Sequence, residues 1–195
     1  VELDERGAVT VELPGQTPER APVGFEAVGA ALGIDDAAMR DVGADLPLAA
    51  VDALGGTLLV PVNFLQHLSG ATPSVGELAD LLDTAGLSRV FAFTFDTLDA
   101  AADVHARVFD PTAAGSERAA SGVGAAACAT HLSAEAVFDG EREGMTVECG
   151  RFVDRPGRIR TTVGPEPDVG GSALTTLDAE LLVPDGESGD DIIEL

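Results

Sequence analysis

The residues with the clearest capacity for chemistry lie between Ala102 and Leu132. An alternating strand pattern there leads into a turn rich in proline, glycine and serine, and then into small residues that predict a helix start. The first four amides of a helix lack partners within it, and the helix dipole makes that end positive. Gly122 and Gly124 carry no Cβ, so a carboxylate is able to approach this backbone closely.

The same glycines have a second interpretation. A helix that packs tightly on a sheet also needs residues without side chains at the contact. The local pattern alone favours this packing role, so both interpretations stay open at this point.

The surrounding elements predict an α+β fold. Helices are expected over Gly24–Leu32, from a Ser74–Glu77 capping box to Gly86, and over Gly122–Leu132. Apolar runs, mostly alternating, predict largely antiparallel strands at Val9–Leu13, Gly56–Asn63 (with Pro61 at an edge or irregularity), Val90–Phe95, Val104–Phe109, Met145–Cys149, Ile159–Val163 and Leu174–Val183.

Composition limits the partners. The 195 residues carry a formal net charge of −23, and all 11 basic residues are arginine. This acidity is typical of adaptation to very high salt, where repulsion between surface carboxylates is screened. An acidic surface repels phosphate backbones, so we expect no nucleic-acid partner. No apolar run is long enough for a membrane span, so we expect a cytoplasmic protein without a membrane partner. The oligomeric state stays open, with a homodimer as one alternative.

Four landmarks in order resemble the PhzF-like family of isomerases, whose fold is that of diaminopimelate epimerase. They are an apolar strand at 58–62, a strand of the form D-x-H-x-R-x-F-x-P from Asp103 to Pro111, Gly150 followed by Arg155-Pro156, and the Val169–Ala173 element. The resemblance covers most of the chain, about residues 1 to 183.

The resemblance implies two similar lobes, each a curved, mostly antiparallel sheet wrapped around a central helix, with substrate in the cleft between them. It implies that residues 23–184 form the second lobe, that residues 1–22 are a remnant of the first lobe and a linker, and that 185–195 are a flexible acidic tail. The family's proton-moving glutamate would then belong to a first lobe that this chain lacks, a reading in keeping with a chain that opens on Val1.

In the second lobe, the family has D-P-x-T-G-S at the helix start, where it holds the substrate carboxylate and aids proton transfer. An ungapped match puts Arg118 on the aspartate, Ser121 on the threonine, Gly122 on the glycine and Val123 on the serine. Arginine clamps carboxylates but does not act as a base. The resemblance therefore implies substrate binding by Arg118, Ser121, Gly122, Val123 and Gly124.

A gapped match is the second alternative. It reads Asp110-Pro111-Thr112 with Gly115-Ser116 as the motif, at the expense of an insertion and a longer helix.

The remaining polar candidates are assigned as follows. His105 lies on a strand, and the resemblance makes His105 and Arg155 candidates for the cleft. We interpret His67 as a surface residue, and His131 as a helix C-terminal residue whose partial charge suits the dipole. Cys128 and Cys149 are expected to be buried and non-catalytic, and no spacing resembles a metal site.

Two functions follow from these assignments. The first is an isomerase that abstracts and returns a proton on a small carboxylate metabolite, without metal or organic cofactor. The second is a non-catalytic protein of the same fold that binds a small acid or serves in assembly. Arg118 and Val123 at family positions favour the second function, whereas the resemblance as a whole favours the first.

Overall fold

The structure is a computed structural model. It describes residues 2–3, 7–40, 42, 46–138, 142–172, 177 and 179–180. Five α-helices lie within the described residues: α1 (Phe25–Leu32), α2 (Ala37–Arg40), α3 (Leu65–Ser69), α4 (Val75–Ala85) and α5 (Gly122–Ala134). The strands are β1 (Glu2–Leu3), β2 (Ala8–Glu12), β3 (Glu19–Arg20), β4 (Ala49–Val51), β5 (Thr57–Pro61), β6 (Arg89–Thr94), β7 (Val104–Phe109), β8 (Glu117–Arg118), β9 (Gly144–Cys149), β10 (Gly157–Thr162) and β11 (Asp168–Ser172).

The strands form one mixed sheet in the order β1-β2-β11-β10-β9-β7-β6-β5-β4-β3, with β8 paired to β7. The β5–β6 and β7–β9 pairs are parallel, and the other described pairs are antiparallel. The predicted α+β class is confirmed. The N-terminal strand β2 is hydrogen-bonded into the same sheet as the rest, while the division of the chain at residue 22 stays a prediction.

The central strands are buried on both faces because apolar residues alternate between two cores. On β6, Val90 and Ala92 pack into the core that contains α1 and α4, whereas Phe91 and Phe93 pack into the core beneath α5. Side chains of a strand point to opposite faces in turn, so this alternation places helices on both sides of the sheet.

Helix α5 is buried all round, with nine consecutive buried residues from Gly124 to Leu132. It contacts strands as far apart in the sheet as β5 and β11. Those two strands are five positions apart in the strand order, so α5 packs across several neighbouring strands of the sheet.

Most predicted elements lie where the sequence puts them, with a few differences. Pro61 ends β5 where β4 has stopped pairing, so the strand is locally an edge there. Ser74 does precede α4, but its side chain makes no capping hydrogen bond. The strands β3, β4, β8 and β11 were not predicted. The predicted strand at Leu174–Val183 and the acidic tail lie outside the described residues, apart from 177 and 179–180, which have no strand structure.

Candidate functional site

The start of α5 has the geometry of a capped helix N-terminus. Ser121 is extended, with φ −146° and ψ 109°, and its Oγ accepts a hydrogen bond from the Gly124 amide at 3.0 Å. Gly122 and Val123 come before this bonded amide, so the helix offers their N–H groups no acceptor. The first turn contains no acidic residue, although the chain is strongly acidic. The positive end of the dipole therefore has no counter-charge on its own helix.

The helix start also decides between the two matches to the family motif. Because α5 begins at Gly122, Ser121 is the N-cap, as the ungapped match requires. Thr112 and Ser116 lie instead in the turn between β7 and β8. The gapped alternative is wrong, since it places a helix start where the chain turns back to pair with β7.

The two glycines of this helix start have different surroundings. A Cβ on Gly124 would lie 2.4 Å from Cδ2 of Phe91, so Gly124 allows α5 to approach β6 closely. A Cβ on Gly122 would meet a methyl group of Val169 at 3.3 Å. Gly124 thus fits the packing interpretation. Ser121, Gly122 and Val123 are half-buried, so solvent reaches the helix start at these three residues.

Arg118, at the position where the family has aspartate, forms an ion pair. Its Nε lies 2.5 Å from Oδ2 of Asp110, and the Arg118 side chain is 52% exposed. Strand β8 places the two together, because Arg118 pairs with Val108 on β7, two residues before Asp110. The Nε edge of the guanidinium is therefore bound to Asp110.

Asp110 is a buried acceptor and not a free base. Its Oδ1 accepts hydrogen bonds from the amide and hydroxyl of Thr112, at 2.8 and 2.6 Å. Burial on its own would raise the pKa of Asp110, but the bonds from Thr112 and Arg118 outweigh it and hold the pKa below its usual range.

A second polar group lies on the neighbouring strands. His105 on β7 is 1% exposed, and its Nδ1 lies 2.8 Å from Oε1 of Glu148 on β9. Glu148 also accepts the backbone amides of Leu98 at 2.6 Å and Asp99 at 3.1 Å. The sequence singled out His105 but not Glu148, because parallel pairing of β7 with β9 brings residues 43 positions apart side by side.

The turn after β9 connects this pair with the start of α5. Gly150 has φ +76°, and a Cβ there would lie 2.1 Å from the carbonyl oxygen of Arg155 and 2.9 Å from that of Ala119. Only glycine fits such a position. The backbone of Arg155 is thus packed close to the residues before Ser121, whereas the Arg155 side chain is exposed.

A cavity of about 280 Å³ opens beside the His105–Glu148 pair. Its walls come from β7, β9, β10 and the intervening turns: Leu98, His105, Glu148, Cys149, Arg151, Pro156, Gly157 and Arg158. Arg155 is not among these lining residues.

Arg107, on β7, has a structural role. Its guanidinium donates two bonds to Glu117, at 3.0 and 2.6 Å, and further bonds to backbone carbonyls of α3 and the turn after it. The same group lies 4.8 Å over the rings of Phe109 and Phe152. This network fixes β8 and, with it, the approach to α5.

The remaining candidates have the following environments. Cys128 and Cys149 are free and buried; burial raises the pKa of both, that of Cys149 to about 11 with a further contribution from Glu148. His67 is exposed. His131 lies in the last turn of α5, as predicted, and is buried; burial lowers its pKa and so disfavours the charged form that would interact with the helix dipole.

Within the part of the chain that the structure describes, no group of three histidine, cysteine or acidic side chains is arranged to hold a metal ion. Among the same residues, no helix is long and apolar enough to cross a membrane.

Two solved structures with the same fold are similar to this chain. A PhzF-family phenazine biosynthesis protein from Bacillus anthracis matches with a TM-score of 0.73 and 20% identity, over 93% of this chain and 64% of its own. A predicted epimerase from Pseudomonas aeruginosa matches with a TM-score of 0.69 and 22% identity, over 90% and 59%. The chain therefore spans less than two thirds of either relative.

At the sequence level, no curated protein matches the chain. The model of the phenazine biosynthesis-like protein family, PhzC-PhzF, matches residues 2–178. The fold and this match lead to one conclusion: the chain belongs to the PhzC-PhzF family of phenazine biosynthesis-like proteins.

Proposed function

We propose that the start of α5 binds the carboxylate of a small metabolite, in a protein that moves a proton on that metabolite as an isomerase or epimerase. The observation that carries this proposal is the pair of amides at Gly122 and Val123, which follow the Ser121 cap and have no acceptor in the helix. The absence of acid in the first turn, and an arginine (Arg118) three residues before the Ser121 cap, support an anion at this place.

Proton transfer needs a base near the substrate. Asp110 is occupied by Thr112 and Arg118, and Arg118 itself stays protonated. We therefore place the proton-abstracting group outside this chain, on the first lobe of a two-lobe protein in which residues 23–184 form the second lobe. Family membership and the longer solved relatives support this arrangement.

No metal or organic cofactor enters the proposed reaction, in which acid–base groups alone move the proton. The bound carboxylate would fix the substrate relative to the base, since acid–base catalysis requires the two within hydrogen-bond reach.

One observation favours a second candidate, a non-catalytic protein that binds a small acid or serves in assembly. The ion pair between Arg118 and Asp110 stands where the family resemblance places a catalytic aspartate. Binding at α5 would survive this replacement, whereas proton transfer would not.

The experiment uses the two-lobe protein encoded by the complete reading frame, in D2O, with a panel of small amino and hydroxy acids. Incorporation of deuterium next to the carboxylate, measured by NMR and mass spectrometry, is the expected result for an isomerase. A Ser121→Asp variant keeps a capping oxygen but adds a negative charge where the substrate carboxylate would bind, so exchange should fall sharply.

Failure of exchange across the panel, with carboxylate binding still lost in Ser121→Asp, would establish the non-catalytic function. If neither exchange nor binding depends on Ser121, the proposal for α5 is wrong.

A further inference from the structure

The cavity beside His105 contains a buried polar atom that has no partner. Nε2 of His105 accepts and donates no hydrogen bond among the described residues, and it has almost no exposed surface. Buried polar atoms in proteins are nearly always bonded, to protein, water or ligand. An unbonded nitrogen on a residue that lines a cavity therefore points to a group that the cavity takes up.

The Glu148 carboxylate orients the imidazole. Both Glu148 oxygens already accept a backbone N–H, so Glu148 acts as an acceptor and Nδ1 of His105 donates to it. Nε2 is an acceptor in the neutral imidazole and a donor in the charged one. A hydroxyl group, which both donates and accepts, is a suitable partner for Nε2 in either form.

One segment beside the cavity is much richer in positive charge than the rest of the chain. Residues 151–160 contain four of the 11 arginines and a single acidic residue, in a protein with a net charge of −23. Arg151 and Arg158 line the cavity. Arg158 is paired with Asp99, but Arg151 forms no ion pair within the described part of the chain. A free guanidinium is suited to a carboxylate.

Apolar side chains lie beside the polar residues of the cavity. Leu98 lines the cavity and is 59% exposed, and Phe152 is 38% exposed with its ring in edge contact with His105, at 5.6 Å between centroids. Contact with Nε2 requires the Phe152 side chain to turn aside. The nearby carboxylates of Glu148 and Asp99 disfavour a doubly charged anion.

We propose that this cavity binds a small hydroxycarboxylic acid with an apolar substituent, whose carboxylate pairs with Arg151 and whose hydroxyl forms a hydrogen bond with Nε2 of His105. The proposal does not depend on binding at α5, since none of these residues belongs to that helix and its test leaves Ser121 unchanged.

The test titrates the 195-residue chain with mandelate and follows the ring nitrogens of its three histidines by NMR. Mandelate is expected to shift the His105 signals and to leave those of exposed His67 and buried His131 in place. Phenylacetate, which lacks the hydroxyl, and inorganic phosphate serve as matched probes. Both should bind more weakly, without the change at Nε2.

Arg151→Gln should weaken mandelate binding about tenfold, the usual effect of losing one charged hydrogen-bonded contact. Arg160→Gln is the matched control, because Arg160 is an exposed arginine of the same segment outside the cavity lining, and it should retain the wild-type affinity. Both variants change exposed side chains, so the buried pair stays intact.

Unchanged His105 signals in the presence of mandelate would overturn the proposal. Equal affinity for phenylacetate or phosphate would do so as well, and so would equal losses in the two arginine variants.

Discussion

Nε of Arg118 lies 2.5 Å from Oδ2 of Asp110, so the side chain at the family's aspartate position is bound to a carboxylate directly after the preceding strand, β7. Asp110 is buried and also holds Thr112, whereas Arg118 is half exposed. The two partners should therefore contribute unequally to stability.

We expect Arg118→Ala to lower the free energy of unfolding by no more than about 1 kcal/mol, because half-exposed ion pairs contribute little. Asp110→Ala should lower it by about 1–3 kcal/mol, since it removes the acceptor for Thr112 as well as for Arg118. Urea unfolding of both variants and of the double variant measures the coupling. Equal effects of the two single substitutions would contradict the unequal roles.

Ser121 combines a structural and a binding role, and two substitutions separate them. Ser121→Ala removes the acceptor of the Gly124 amide and should lower stability by about 1 kcal/mol. Ser121→Asp should keep stability near wild type because aspartate is also a good N-cap. Thermal unfolding provides the measurement. A loss in Ser121→Asp as large as in Ser121→Ala would show that the loss does not come from the cap hydrogen bond.

Gly124 is required by the contact between α5 and β6. Gly124→Ala should destabilise the fold by about 1–3 kcal/mol, because the added methyl group would overlap the Phe91 ring in a closed core. Gly76→Ala is the matched control: Gly76 is also near a helix start, with no atom within 4 Å of the added carbon. There alanine should be neutral or stabilising by up to about 1 kcal/mol. Chemical denaturation of the pair tests this difference, and a neutral Gly124→Ala would disprove it.

Acid should weaken the fold through His131. Burial lowers the pKa of His131, and the raising effects of Glu135 and of the Pro47 carbonyl do not compensate for it. The unfolded chain, with a histidine pKa of about 6.5, thus takes up a proton before the folded protein does. The stability contribution is full above that pH and is lost as the pH falls towards the lower pKa of the folded state.

Urea unfolding at about pH 7.5 and 5.5, on either side of the ordinary histidine pKa, measures this effect. His131→Asn should lose less stability on acidification than wild type, whereas replacing exposed His67 by asparagine should leave the pH dependence unchanged. Parallel behaviour of wild type and His131→Asn would refute the assignment to His131.

The elements with strong local signals could be predicted from the sequence. The alternation at 104–109 and the small-residue run after Ser121 are visible in a single segment, and β7 and α5 lie there. The short strand β4 has only three residues, and Glu117–Arg118 are both charged, so neither carries a periodic pattern long enough to detect.

Features of the candidate site that lie within one segment could be predicted from the sequence. Contacts that form only when the strands assemble into the sheet could not. Ser121 as N-cap follows from residue type and position. The partner of Arg118, the pairing of His105 with Glu148 and the contact of Gly124 with Phe91 all join different strands. Such contacts depend on strand order, which residue spacing alone does not determine.

The placement of β11 between β2 and β10 has a consequence for synthesis on the ribosome. Residues 8–12 pair with residues 168–172, and in the described sheet β11 is the only link between β2 and the strands beyond it. Until residue 172 has left the exit tunnel, strand β2 lacks this partner. Contacts of such long sequence separation form slowly, so closure of the sheet is expected to be a late step in folding.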